Sequence, residues 1–186
     1  MKKTFSIILA GLTFLTAFQA KAEENKMSDK KALVAYFSAT GVTAGVADRL
    51  AEAIGADLFE IKPERIYTDA DLDWRNKQSR SSVEMNDRAS RPAIASEVGN
   101  MAWYDVVFVG FPIWWYREPS IIDTFMEAYD FSGKTVVPFA TSGSSGIGSS
   151  GANMQALAPK AKVLEGKRFS GGVSAEDLKK WAAEWL

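Results

Sequence analysis

The stretch ALVAYFSATGVTAGVADRLAEAI, residues 32–54, decides the fold class. Its first six residues, 32–37, are apolar without a break and have the length of a strand, the pattern of a strand covered on both faces. Farther on, Val46, Leu50 and Ile54 fall at helical spacing, and Gly55 stands where a helix C-cap belongs. Between the two lies a tight connection, 38–43, made of small and hydroxyl residues. A buried strand that feeds directly into an amphipathic helix is the first half of a βαβ unit.

Outward from this stretch the same alternation continues. Residues 57–61 alternate polar and apolar side chains, as an edge strand does, whereas 106–111 and 136–140 repeat the wholly apolar pattern. Pro119 marks a helix start whose inner stripe is Ile121, Ile122, Phe125, Met126 and Tyr129. Residues 162–164 form a short, more polar strand running on towards Phe169. Ser174 and Asp177 make a capping box for a last helix that buries Leu178, Trp181 and Trp185. Three apolar central strands flanked by two half-exposed ones predict an α/β fold, a doubly wound five-stranded parallel sheet in the order 2-1-3-4-5. Residues 63–96 break the rhythm. They are charged, interrupted by proline and poor in apolar periodicity, which predicts a long excursion with at most short helical pieces in place of a regular second helix.

The N-terminal region is set apart by composition. Lys2 and Lys3 precede an apolar run, 5–18, and Ala20-Lys21-Ala22 is an A-x-A cleavage site, so residues 1–22 read as an export signal. The run is shorter than the roughly 20 apolar residues a membrane span needs, which predicts an exported, periplasmic protein without stable membrane insertion after cleavage. Residues 23–31 read as a disordered lead-in, and residues 32–186 as one domain.

Removing the signal removes three lysines and no acid. The chain's 22 basic and 23 acidic residues then leave a net charge of about −4, too balanced for a nucleic-acid partner. The chain has no histidine and no cysteine. That excludes Ser-His and Cys-His nucleophile pairs and every His-ligated metal site, so neither catalytic side chains nor a metal are expected.

In a sheet of this order ligands sit at the carboxyl ends of the strands, where strand order reverses. The loops after the first, third and fourth strands are all unusual. Ser38-Ala39-Thr40-Gly41-Val42-Thr43 lacks both the Walker and the dinucleotide glycine patterns. It reads either as a neutral phosphate cradle at a helix N-terminus or as a helix start merely capped by Thr40 or Thr43. Pro112-Ile113-Trp114-Trp115-Tyr116 places three adjacent aromatics at a strand end. They offer a flat face to a planar ring, or serve as core or interface residues. Residues 141–148, TSGSSGIG, have the composition of a flexible linker, yet small residues also let backbone N–H groups approach a ligand closely.

The run YFSATGVT (36–43), then GFPIWW (110–115), then PFATSGSSGIG (138–148) resembles the flavodoxin-like family, especially its bacterial branch of small FMN-binding proteins. The resemblance spans residues 31–186. It implies that Ser38, Thr40, Gly41, Val42 and Thr43 hold the FMN phosphate. Pro112, Ile113, Trp114, Trp115 and Tyr116 then flank the isoalloxazine. Thr141, Ser142, Gly143 and Ser144 approach its pyrimidine side and the ribityl chain. The segment 69–74, DADLDW, also looks like this branch and puts Trp74 near the ring.

Three departures stand out. The third loop has no aromatic, carrier flavodoxins are far more acidic, and the loop 112–116 has Trp115 where the family usually has glycine. No glycine occurs from Phe111 to Glu118, so this loop is expected to avoid positive φ, where a bulky residue costs on the order of 1–2 kcal/mol.

The function so implied is an FMN-dependent oxidoreductase that passes reducing equivalents to a small acceptor. Its donor is NAD(P)H, a quinone or a redox protein. The alternatives are a non-enzymatic electron carrier and, in a different class, a flavin-free α/β binding module. Oligomeric state, a homodimer included, is left open by the sequence.

Overall fold

The computed structural model describes residues 30–186; residues 1–22, read above as an export signal, and residues 23–29 of the expected lead-in lie outside them. Lys30 and Lys31 are already tied to the fold. The Lys31 N–H donates to Asp105 Oδ2 (2.9 Å) and its ammonium pairs with Asp57 (3.0 Å), while Lys30 Nζ donates to the Trp185 carbonyl (2.8 Å).

The chain forms β1 (Ala32–Tyr36), α1 (Val42–Ile54), β2 (Asp57–Glu60), α2 (Arg80–Asn86), β3 (Val106–Pro112), α3 (Ser120–Ala128), β4 (Thr135–Thr141), α4 (Ser150–Leu157), β5 (Lys162–Val163), β6 (Lys167–Phe169) and α5 (Ala175–Ala182). All strand pairs are parallel, in the order β2-β1-β3-β4-β5, with β6 also on β4. This is the order expected from the alternation of apolar runs.

The two faces of the sheet carry separate cores. Val34, Val106, Phe108, Val137 and Phe139 meet α1 and α5 through Val46, Leu50, Leu178 and Trp181. Leu33, Val107, Val109, Phe111 and Ala140 meet α3 and α4 through Ile121, Ile122, Phe125 and Met154. As the capping box predicts, Ser174 Oγ accepts from the Asp177 N–H (3.1 Å) at the start of α5.

The fifth strand position is split, and Pro138 explains why. Along β4 alternate residues point their backbone groups to opposite neighbours. The Thr135 N–H reaches the Asp105 carbonyl beside β3 (2.9 Å), while the Val136 carbonyl accepts from Leu164 on the other side (2.9 Å). Pro138 therefore faces the fifth position, and it has no N–H to offer there. The outer strand parts into β5 and β6 at this level. Gly166 turns in the gap at φ 85°, where a Cβ would stand 2.4 Å from the Pro138 carbonyl oxygen.

The excursion after β2 is ordered, with α2 as its one helical piece. Its ends are pinned by an antiparallel bridge, Glu64 N–H to the Ala93 carbonyl (2.9 Å) and Ala95 N–H to the Lys62 carbonyl (2.8 Å). Within it, Glu84 accepts from Tyr67 Oη (2.5 Å) and from Arg80 Nε (2.6 Å).

Candidate functional site

At the carboxyl edge of the sheet the loops after β1, β3 and β4 meet the excursion after β2 around a cleft of about 520 Å³, within the range of small-molecule sites. Ala39 and Thr40 of the first loop line it, with Pro112 to Tyr116 of the second and Ser145 of the third. Leu72, Trp74 and Ser81 complete the wall from the excursion. None of these side chains carries a charge.

The first loop bends at Gly41, φ 85°, and α1 starts at Val42 with no side-chain cap. Neither Thr40 nor Thr43 closes the helix, so the capped-start alternative is not what forms. Ser38 Oγ accepts from the Gly41 N–H (3.1 Å) and keeps its own proton free to donate. Thr43 is buried and its Oγ1 lies 2.8 Å from Thr141 Oγ1, which ties the start of α1 to the end of β4. Of the five residues singled out here only Thr40 faces the cleft. Beside it, an uncapped helix N-terminus leaves N–H groups and the positive end of the helix dipole for an anion.

The second loop overturns the expectation about φ. Trp115 and Tyr116 sit at φ 44° and 64°, the type I′ pattern that ordinarily takes glycine or asparagine. Trp114 and Arg117 exchange both backbone bonds, Trp114 N–H to the Arg117 carbonyl (3.0 Å) and Arg117 N–H to the Trp114 carbonyl (3.1 Å). The chain must reverse in the two residues between them. Both ends are held: Trp114 packs edge-on against Phe37 and Tyr67, centroids 5.5 and 5.3 Å away, and Arg117 is buried. The aromatics therefore divide. Trp114 belongs partly to the core, and Trp115 and Tyr116 are exposed at the cleft.

Arg117 enters a buried ionic cluster that sequence reasoning missed. Its guanidinium lies 3.3 Å from Glu118 Oε1 and 3.4 Å from Asp123 Oδ2. Glu118, wholly buried, also accepts from Asn153 Nδ2 of α4 (2.9 and 3.1 Å) and pairs with Arg88 of the excursion (3.6 Å). Burial, reinforced by the Glu118 carboxylate, pushes the Asp123 carboxyl up to about 6, and its Oδ1 has no hydrogen-bond partner. The cluster joins the second loop, the excursion and α4. Arg-Glu-Pro before a helix reads as an ordinary solvated connection, so no local signal announces it.

In the third loop, Ser142 Oγ donates to the Ser145 carbonyl. Gly148, at φ 62°, lies so close to the second loop that a Cβ on it would stand 2.4 Å from the Tyr116 carbonyl oxygen. Thr141, Ser142, Gly143 and Ser144 shape this loop, but the residue that lines the cleft is Ser145. Ser38, Gly41, Val42 and Thr43 likewise lie outside the lining, beside the cleft. Trp74 lies on the rim of the cleft, 68% exposed, with the Arg75 guanidinium 5.2 Å from its ring. Leu72 and Ser81 were not foreseen, since nothing in an irregular segment says which residues turn inward.

The family model described as Flavodoxin matches residues 31–185. Among solved structures, a protein described as a flavoprotein from Bacteroides eggerthii DSM 20697 is 50% identical. It covers 84% of this chain and 98% of its own, with a TM-score of 0.79. A second, from Bacteroides uniformis ATCC 8492, is 51% identical over 84% of this chain and 99% of its own, TM-score 0.78. The flavoprotein from Lactobacillus acidophilus NCFM, solved in complex with FMN, shares the fold at 20% identity, 82% and 99% coverage and TM-score 0.61. A comparison with curated proteins finds no match.

Proposed function

The chain belongs to the flavodoxin family, and from that premise we propose that it binds FMN non-covalently at the β1–β3–β4 edge and serves as an FMN-dependent oxidoreductase for a small acceptor. One observation carries the reading: loops from three strands converge on a single uncharged cleft beside a helix N-terminus that no side chain caps. The L. acidophilus relative, solved with FMN, makes the same ligand the natural choice here.

The residues present suit the group. The Ser38 and Thr40 hydroxyls and the N–H groups of Val42 and Thr43 would meet the phosphate, while Gly41, its N–H held by Ser38 Oγ, supplies the bend; the charge would be balanced by hydrogen bonds and the α1 dipole rather than by a cation. The Thr43–Thr141 bond holds the first and third loops at a fixed separation. Pro112, Ile113, Trp114, Trp115 and Tyr116 exclude water from the ring and give it apolar surface. Backbone N–H groups of Ser142, Gly143 and Ser144 would face its polar edge, with Thr141 anchoring the loop in the β3–β4 ladder. When bound, FMN supplies the redox chemistry. The protein needs no nucleophile of its own, in keeping with a chain free of cysteine and histidine.

Titration of the full chain with FMN and with riboflavin tests this by absorbance and flavin fluorescence. FMN should bind more tightly, and Thr40→Ala should narrow the gap by about tenfold, the worth of one charge-assisted hydrogen bond. Equal binding of the two ligands would overturn the phosphate assignment.

A further inference from the structure

We propose that Asn153, a residue of α4 outside the cleft, is a positioning residue for the flavin ring: acting through Glu118 and Arg117, it holds the second loop in its ring-binding turn before any ligand arrives. The proposal rests on the FMN reading above and concerns the ring end of that site alone.

The turn needs a hold from outside. Trp115 and Tyr116 sit at φ 44° and 64°, a region that a residue with a Cβ enters only at a cost. Both side chains are exposed, so their own packing does little to offset that cost. The conformation is kept by what grips the two flanking residues. Trp114 is wedged against Phe37 and Tyr67. On the other flank, the buried Arg117 guanidinium reaches Ser120 Oγ (3.3 Å), Glu118 Oε1 (3.3 Å) and Asp123 Oδ2 (3.4 Å). Its two carboxylate contacts are longer than charge-assisted bonds usually are. Arg117 is therefore only as fixed as the carboxylates around it.

Of the two carboxylates, Glu118 is the one that a further group fixes. It is wholly buried, and Asn153 Nδ2 donates to both of its oxygens, at 2.9 and 3.1 Å. The Arg117 and Arg88 guanidinium groups approach Oε1, at 3.3 and 3.6 Å, and the Arg88 side chain is exposed. Asp123 is no substitute, because its Oδ1 has no partner and its charge opposes that of Glu118. The neutral amide is the firm point, and it stands on a helix. Met154, the next residue, is buried in the core, and Gly148, just before α4, lies against the Tyr116 carbonyl. None of the residues assigned to the phosphate belongs to this cluster; the first loop is tied to Thr141 instead. Loosening the second loop should cost affinity for the ring and leave the phosphate end intact.

The test compares the full chain with Asn153→Ala, in which alanine keeps α4 helical and the clamp is lost. Amide exchange of the apo proteins reads the turn directly, since Trp114 and Arg117 each donate an N–H to the other's carbonyl. In the parent both should be protected without flavin and gain less than about threefold on loading FMN, whereas in the variant both should exchange at least about tenfold faster. FMN and riboflavin should both bind about tenfold more weakly to the variant, because the binding-competent fraction falls by that factor. Their affinity ratio should not change. Tyr116→Asn relieves one of the two strained positions, so in that background Asn153→Ala should cost only about threefold. A general loss of structure is not repaired in that way. The positioning role is overturned if the apo parent is unprotected at Trp114 and Arg117, if Asn153→Ala narrows the gap between FMN and riboflavin, or if Tyr116→Asn rescues nothing. Should Asn153→Ala fail to fold, exchange in the apo parent alone decides. A chain that binds neither flavin defeats both proposals, whereas flavin binding unchanged by Asn153→Ala defeats only this one.

Discussion

Gly41 in the first loop and the Trp115–Tyr116 pair in the second have the same backbone handedness, φ 85°, 44° and 64°. Glycine reaches that region without steric cost, and a Cβ at Gly41 would meet nothing within 4 Å. The aromatics reach it against roughly 1–2 kcal/mol each. Local preference accounts for the first loop. The second is held from a distance, by Phe37 and Tyr67 around Trp114, by Glu118 and Asp123 around Arg117, and by Gly148 against the Tyr116 carbonyl. A loop set by its own residues and a loop set by its neighbours respond differently to substitution.

The largest effect should come from crowding the contact between loops. Gly148→Ala combines positive φ with a Cβ 2.4 Å from a backbone oxygen and should lose about 3–4 kcal/mol in urea unfolding. Gly41→Ala, with open space around it, should lose only about 1–2 kcal/mol. Equal losses would break the contrast, since strain at φ alone would then account for both positions.

Charge in the anchor should show next, as pH dependence. The Asp123 carboxyl is raised from 3.8 to about 6, so the folded state holds its proton more tightly than the unfolded chain. The stability it contributes is fully present below pH 3.8 and is lost as pH rises through about 6. Asp123→Asn stays neutral throughout. Between pH 4 and pH 7 the parent should therefore lose up to about 3 kcal/mol relative to the variant. Thermal unfolding of both across that range checks the sign, and a constant difference would mean that the Asp123 carboxyl does not titrate between those pH values.

The smallest effect should be a gain. Tyr116 is 79% exposed, and asparagine tolerates the left-handed region far better than tyrosine. Tyr116→Asn should stabilise the chain by about 1 kcal/mol, read as a raised urea midpoint with an unchanged slope. Destabilisation would show that Tyr116 contributes packing that outweighs its strain.

Sheet order, the buried central strands and the edge that carries the site were legible because hydrophobic period and loop composition are local properties. ALVAYF announces a covered strand wherever it stands, whereas SATGVT before a helix left a phosphate cradle and a capped start both open until the uncapped start at Gly41 was seen. The same reading named the three loops but not the atoms that face the cleft. Thr43 turned out to be bonded to Thr141, and Ser145 rather than Ser144 lines the wall. Other features waited on the fold. Pro138 splits the outer strand only because its side of β4 faces the fifth position. Trp115 and Tyr116 take a glycine's conformation only because Trp114 and Arg117 are anchored on either side. The sequence by itself determined which segments are buried and which sheet edge carries the cleft, since burial follows a period of two or about four residues along the chain and loop composition is read in place. Tertiary structure decided the handedness of the second loop and the pairing of Glu118, since these depend on groups brought together from 30 or more residues away.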